Sequence, residues 1–527
     1  MDESKNKISL KTIKLIEGED DRLFNSNQDV PRTFEEAITA TGFGKYNYIL
    51  LLIILFPCTV IMTETVGVNY IVPMAECDLN LSLEDKGILN GAIFIGMITS
   101  GLFWGYLCDA LGRKKIIVYG YLFTGLFSLV AALSASKEVL IVSKFMSGLI
   151  LNGPYSATTS HITEFHSSKY RGTVHMIRGT FFSVINLCLP IMAWGILPRQ
   201  INISVFGLFV LKSWNVFMLV CAAFPIISGL LYMFLPESPK FLMTMGKNRE
   251  ALAVMQSVYA VNSGKTKEDF PVKTLVKEAN MNMSTSRIEL ATALSNGWSE
   301  MKTILKRPHI TNMMLASFNA FSLVISLNTY KFWLPSIFQA ISDYQNSHNG
   351  TSSSMCVMLE ELKETNVTST QSCSVDLNNF SVYLNTFIVA SARVVVFLCA
   401  GTLVRVVGLK KLNIILIFIC SSSLFCVYFA RSSQVVTALT AVGTAIGSVP
   451  ENLLVTITLE LFPTSLRTIA LSIHLTAQRT GTVVGNLFFP YLMQLGCLPP
   501  FLFIGIFSAA CGIFSFLYAD VENKPLR

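Results

Sequence analysis

The sequence predicts an all-α membrane protein of twelve transmembrane helices, built as two parallel six-helix repeats with both termini cytosolic. Three observations lead there. The 527-residue chain is 52% hydrophobic and only 14% charged, with a mean hydropathy of +0.54, whereas a soluble globular chain is about 25% charged. Its apolar residues fall into twelve runs, and a bilayer core of roughly 30 Å takes about 20 apolar residues as helix. Two unrelated motif pairs also recur at one displacement along the chain.

The elements follow in order. Residues 1–45 are a polar tail without the apolar stretch of a cleavable signal, so the first helix is expected to direct insertion. Within it, Arg32 to Ala40 reads as a helical lead-in. The N-terminal bundle, 46–235, holds runs at 46–70, 87–107, 116–135, 139–160, 173–197 and 214–235. A linker rich in Lys, Glu and Asn spans 236–308. The C-terminal bundle, 309–519, holds runs at 309–340, 380–404, 412–430, 434–456, 468–495 and 499–519, and residues 520–527 form a short tail.

Orientation follows from Lys and Arg, which resist translocation. With a cytosolic N-terminus, 29 of the 40 fall on the inside, 6 on the outside and 5 within helices. The 341–379 loop then faces outward, as glycosylation of its sequons at Asn349 and Asn366 requires; Asn80, Asn202 and Asn379 lie on the same side. Cys356 and Cys373 share that loop, and a disulfide between them is expected, the alternatives being free thiols or a pairing with Cys77.

The repeat is read from two loops. Gly105-Tyr-Leu-Cys-Asp109-Ala-Leu-Gly112-Arg113-Lys114-Lys115 follows the second run, and Gly401-Thr-Leu-Val-Arg405-Val-Val-Gly408-Leu409-Lys410-Lys411 follows the eighth, 296 residues later. Glu164 precedes Arg171 by seven residues, and Glu460 precedes Arg467 by seven, again 296 later. Repeats of this kind place a solute site between the halves near the membrane midplane.

The unbroken Gly105 to Lys115 motif resembles the major facilitator superfamily. Pro236-Glu-Ser-Pro239-Lys240 resembles a signature shared by its sugar porters, organic cation carriers and synaptic vesicle glycoprotein 2-like proteins. Val72-Pro-Met-Ala-Glu76-Cys-Asp78, Lys212-Ser-Trp214 and Trp333-Leu-Pro335 are most similar to the last group. The resemblance implies a major facilitator fold and a monomeric secondary transporter for a small organic solute, an organic ion or a sugar, with protons as the candidate coupling ion. It also allows a non-transporting receptor or trafficking protein. As a cytosolic gate it implies Asp109, Arg113, Glu164, Arg171, Arg405, Glu460 and Arg467, with Arg405 and Leu409 replacing the Asp and Arg of the first copy.

A charged side chain inside a bilayer helix is costly unless it faces the bundle interior, so each is a functional candidate. Glu64, deep in the first run, is the preferred site carboxylate, for a cationic solute or a proton; the competing reading is an ion pair with Lys331 or Arg393 that fixes packing. Arg178, Lys331, Arg393 and Arg479 are further candidates, with Glu451, while Lys144 reads as a packing residue. Tyr330 and Trp333, beside Lys331, are candidates to cover a cation or an apolar solute, or else belong to an interfacial aromatic belt.

Other classes lack their motifs. Gly264-Lys265-Thr266 ends no phosphate-binding loop, since Tyr259 stands at the first glycine position. No metal-ligand spacing and no nucleophile motif marks an enzyme, so neither cofactor nor metal is expected. The net charge of +7 is spent on topology rather than on nucleic acid.

Overall fold

Lys45–Thr65 (α2) and Val68–Leu79 (α3) form one long rod, broken where Gly67 sits against the Thr63 carbonyl. The computed structural model describes residues 31–518 except 200, 206–208, 277–303, 305, 308, 349–350, 352, 365–379 and 463–465. Phe34–Ala40 (α1) precedes the rod, opened by Thr33 and Glu36 as a reciprocal capping box. The first bundle continues with Leu83–Leu111 (α4), Arg113–Ala132 (α5), Lys137–Glu164 (α6), Ser168–Ile196 (α7) and Ser213–Met233 (α8). Asn202–Val205 and Phe209–Lys212 (β1 and β2) pair antiparallel between α7 and α8.

Pro239–Thr244 (α9) and Asn248–Ser263 (α10) open the linker. The second bundle comprises His309–Ser347 (α11), Met355–Glu364 (α12), Phe380–Val407 (α13), Leu409–Cys426 (α14), Ser433–Leu461 (α15), Arg467–Leu495 (α16) and Leu498–Ser515 (α17).

Among the described residues nine helices are long and apolar enough to cross a membrane by length and composition. α4, α6 and α16 have 28 or 29 residues but are not among the nine. In α6 and α16 the polar groups responsible point inward: Lys144, Asn152, His161, His474 and Asn486 are all buried, where packing compensates a composition that lipid would not.

The displacement of 296 residues recurs in the backbone. Gly112 and Gly408 both take positive φ, 95° and 86°, and break the chain before α5 and α14. A Cβ at Gly112 would also lie 2.5 Å from the Glu237 carboxylate, but it is the positive φ that calls for glycine there. Ser136 and Ser432, 296 apart, cap α6 and α15 by accepting from the N–H groups of Val139 and Val435. Pro154 and Pro450 sit at matching places in the same two helices.

The halves meet where α4 packs on α16, α7 on α13 and α3 on α11. Gly87 permits the first approach, since a Cβ there would stand 2.6 Å from the Asn486 carbonyl. Trp194 meets Phe380 edge-on at 5.4 Å, and Phe94 stacks on Phe332 at 5.6 Å.

Around the linker, Phe34, Ala37 and Ile38 of α1 share one buried cluster with Leu242, Met255 and Phe270. The tail from Arg32 and the start of the linker are therefore one packed unit, joined by an Arg32–Leu275 bridge.

The expected Cys356–Cys373 disulfide is not the one formed. Cys356 is bonded to Cys497, with Cα atoms 5.4 Å apart. Met355 donates its N–H to the Ala430 carbonyl, and Met355 and Met358 sink into the C-terminal core. That seats α12 beside the start of α17 rather than leaving it in a free loop. Cys77 is also disulfide-bonded. Cys373, Asn349 and Asn366 lie outside the described residues.

Candidate functional site

A cavity of about 200 Å³ lies between the halves, walled by α2, α3, α4 and α7 on one side and α11, α13 and α15 on the other. Lys331, Arg393 and Glu451 project from three helices of the second half into it. Glu451 Oε2 is 3.5 Å from Lys331 Nζ and 3.7 Å from Arg393 Nη2. Lys331 also donates to Asn328 Oδ1 at 3.3 Å, and Asn328 donates to Thr482 at 2.9 Å. Facing them from α3 is Asn69, only 2% exposed, whose amide N and O have no hydrogen-bond partner among the described residues. An orphaned buried amide costs about 1–3 kcal/mol per missing bond, and in a native site it marks a place where water or ligand completes the bonding.

Glu64 is elsewhere. It is 1% exposed, accepts from Lys144 Nζ at 2.6 Å and from Ser128 and Ser147 at 2.6 and 3.0 Å. This cluster joins α2, α5 and α6 inside the first half, and Glu64 is not among the residues lining the cavity. Glu64 pairs with Lys144 rather than with the Lys331 or Arg393 named as its partners, and those two share Glu451 on the second half's wall of the cavity.

The α11 aromatics divide by helical rotation. Tyr330 is fully buried and bonds Thr440 at 3.1 Å, and Trp333 is buried against Phe489, ring centroids 4.8 Å apart. Neither lines the cavity; Phe332 does, stacked on Phe94. Tyr330 and Trp333, expected as the aromatic cover, turn into the core of the second half, and on this stretch of α11 the aromatic ring at the cavity wall is that of Phe332, next to Lys331.

Arg178 lies apart from the cavity, donating to Thr159, its guanidinium 5.8 Å from the rings of Tyr155 and Phe182. Arg479 donates to Asn152 Oδ1 at 2.8 Å, a direct bond from α16 to α6 across the halves.

At the loop end, Arg113 pairs with Glu164 at 3.3 Å and lies over the Phe241 ring. Arg171 pairs at 2.7 Å with Glu35, which the sequence reading had not singled out; the start signal of α1, Thr33 with Glu36, was the available clue. Glu35 Oε1 also accepts from the Ser168 N–H at the start of α7. Burial alone would raise the Glu35 pKa, but the Ser168 bonds and the Arg171 charge outweigh it and hold the carboxyl below its ordinary value. Arg467 donates to the Phe462 carbonyl at 3.1 Å. Glu460 ends α15 one residue before its last. The side chains of Asp109 and Arg405 lie outside the described residues.

The family model described as Major Facilitator Superfamily matches residues 51–362. Synaptic vesicle glycoprotein 2B of Rattus norvegicus is 24% identical over 332 residues, covering 60% of this chain and 49% of that protein. Synaptic vesicle glycoprotein 2A of Bos taurus is 26% identical over 237 residues, covering 45% and 32%. The chain spans about half the length, or less, of the curated relatives it matches. Among solved structures, the partially occluded inward-open xylose transporter XylE from E. coli superposes with a TM-score of 0.62 at 15% identity, covering 90% of this chain and all of that one. A D-xylose–proton symporter does so at the same score and identity over 92% of this chain.

Proposed function

The chain belongs to the Major Facilitator Superfamily, and from that premise we propose that it is a secondary carrier moving a small organic solute by alternating access. The observation that carries this reading is the cavity between the halves, walled by both and holding Lys331, Arg393 and Glu451. Interior charge placed at a repeat interface is costly to keep and is the mark of a solute pathway.

The accompanying topology is twelve spans with both termini cytosolic, α4, α6 and α16 completing the nine apolar helices. Support comes from the 29 to 6 partition of basic residues and from the Cys356–Cys497 disulfide, which belongs on an oxidising face. In that frame the half-to-half contacts at Gly87–Asn486 and Trp194–Phe380 close the outer end. The pairs Arg113–Glu164 and Arg171–Glu35 bind within the first half and its tail. The arrangement is that of a carrier open to the cytosol, and these residues, with Asp109, Arg405, Glu460 and Arg467, form the gate that re-pairs on closure.

The test is uptake into liposomes holding the purified protein, across organic anions, organic cations, sugars and nucleosides, with and without a pH gradient. Saturable uptake lost in Arg393→Gln and Glu451→Gln is the expected result. If no solute class moves or stabilises the protein, the carrier reading fails and the receptor alternative replaces it.

A further inference from the structure

Resting on the carrier reading, we infer that the cavity takes a small organic monocarboxylate bearing a second hydrogen-bonding group. The charge balance is the first reason. Two cations, Lys331 and Arg393, share one carboxylate, Glu451, and the rest of the wall is neutral. The protein's own groups in the wall thus sum to one positive charge among apolar helices, where unbalanced charge is expensive. A monoanion cancels it, a sugar leaves it, and a cation doubles it.

Geometry is the second reason. At 3.5 and 3.7 Å, Glu451 stands outside the 2.7–2.9 Å of a strong charge-assisted bond, unlike the 2.6 Å Lys144–Glu64 pair of the first half. Glu451 therefore serves the two cations as a distant counter-ion and leaves them able to take a closer carboxylate, for which the planar guanidinium offers two parallel donors.

Asn69 supplies the third. Its amide, buried and unpartnered among the described residues, faces the charged triad across the cavity and suits a hydroxyl, carbonyl or amide on the solute. Phe94 and Phe332 form an apolar wall between the two halves, which a bare inorganic anion would not use. A volume of about 200 Å³ is below the roughly 300–1,000 Å³ of drug-sized sites, so the solute is small.

Matched acids and amides test this on the full-length protein. Benzoate against benzamide, nicotinate against nicotinamide, and 4-hydroxybenzoate, glucose, choline and inorganic phosphate are assayed for thermal stabilisation and liposome uptake. The acids are expected to stabilise saturably and to be transported, their amides not. Arg393→Gln is expected to weaken acid binding by about tenfold or more, in line with losing a charge-assisted pair, with partial rescue by Arg393→Lys. Glu451→Gln, which removes the competing carboxylate, is expected to tighten acid binding, a result that loss of fold cannot mimic. Asn69→Leu is expected to weaken 4-hydroxybenzoate more than benzoate. Equal binding of acids and amides, binding of phosphate alone, or uptake of glucose or choline without uptake of acids overturns the inference and leaves the carrier reading standing. No stabilisation and no uptake by any probe overturns both.

Discussion

Each half of the molecule ties its first helix to its fourth through charge, and the two do it with opposite signs. In the first half Glu64 on α2 meets Lys144 on α6; in the second, Lys331 on α11 meets Glu451 on α15. The first pair is 1% exposed on both sides, short, and completed by two serine hydroxyls. The second is looser, 15% and 26% exposed, shared with Arg393, and open to a cavity. Nor are the pairs repeat-equivalent. The position 296 residues after Lys144 is Thr440, which bonds Tyr330, and the position 296 before Glu451 is Tyr155, which lies beside Arg178. The repeats keep their backbone and exchange their chemistry: on the carrier reading proposed above, one half makes its interhelical charge a weld, the other a docking point.

Breaking the weld is expected to have the largest effect. Lys144→Met strands Glu64 without a counter-charge, and removing one partner of a buried pair costs about 3–5 kcal/mol. The melting temperature is expected to fall sharply, and Glu64→Gln added to Lys144→Met to recover most of the loss. A full loss of uptake in a double mutant of normal stability would put Glu64 back in the solute pathway.

The docking point is expected to answer in the reverse way. Lys331→Met, at a part-exposed site where Arg393 still faces Glu451, is expected to cost about 1 kcal/mol or less while uptake is lost; a drop as large as that of Lys144→Met would erase the distinction. Tyr330→Phe removes the bond at the place corresponding to Lys144. Because the Thr440 hydroxyl still donates to the Val436 carbonyl, about 0.5–1 kcal/mol is expected, with uptake retained.

The smallest effect concerns Glu35. Its carboxyl is held below an ordinary value of 4.5, so its contribution is present above that value and lost as pH falls through the lower, folded pKa. The Arg171–Glu35 pair is 35% and 40% exposed, and such pairs are worth about 0–1 kcal/mol. Glu35→Gln is expected to shift the melting temperature slightly at pH 7 and not at pH 3, and the shift to shrink in high salt.

The fold was legible because a lipid solvent leaves so few solutions: long apolar runs must be helices, and one displacement in two loops orders them into halves. Lys331, Arg393 and Glu451 were legible for the same reason, since an isolated charge in such a run is conspicuous. Their partners were not, because pairing depends on helix rotation and on which faces pack. Lys144, read as packing, claimed Glu64, and Phe332 rather than Tyr330 or Trp333 reached the cavity. Asn69 carries no charge to draw notice, and its significance lies in what it does not touch. Cys356 and Cys373 looked paired because they are near in sequence, whereas the core beneath α12 brought Cys497 to Cys356 from 141 residues away.

That last bond turns most of the second half into a covalent ring, from α12 round to the head of α17. A protease that cuts the chain anywhere between 356 and 497 opens the ring without releasing a fragment. Nicked protein is expected to migrate as one band on a denaturing gel and to fall into two only after a thiol reductant, so intact mass on a non-reducing gel is no evidence of an uncut chain.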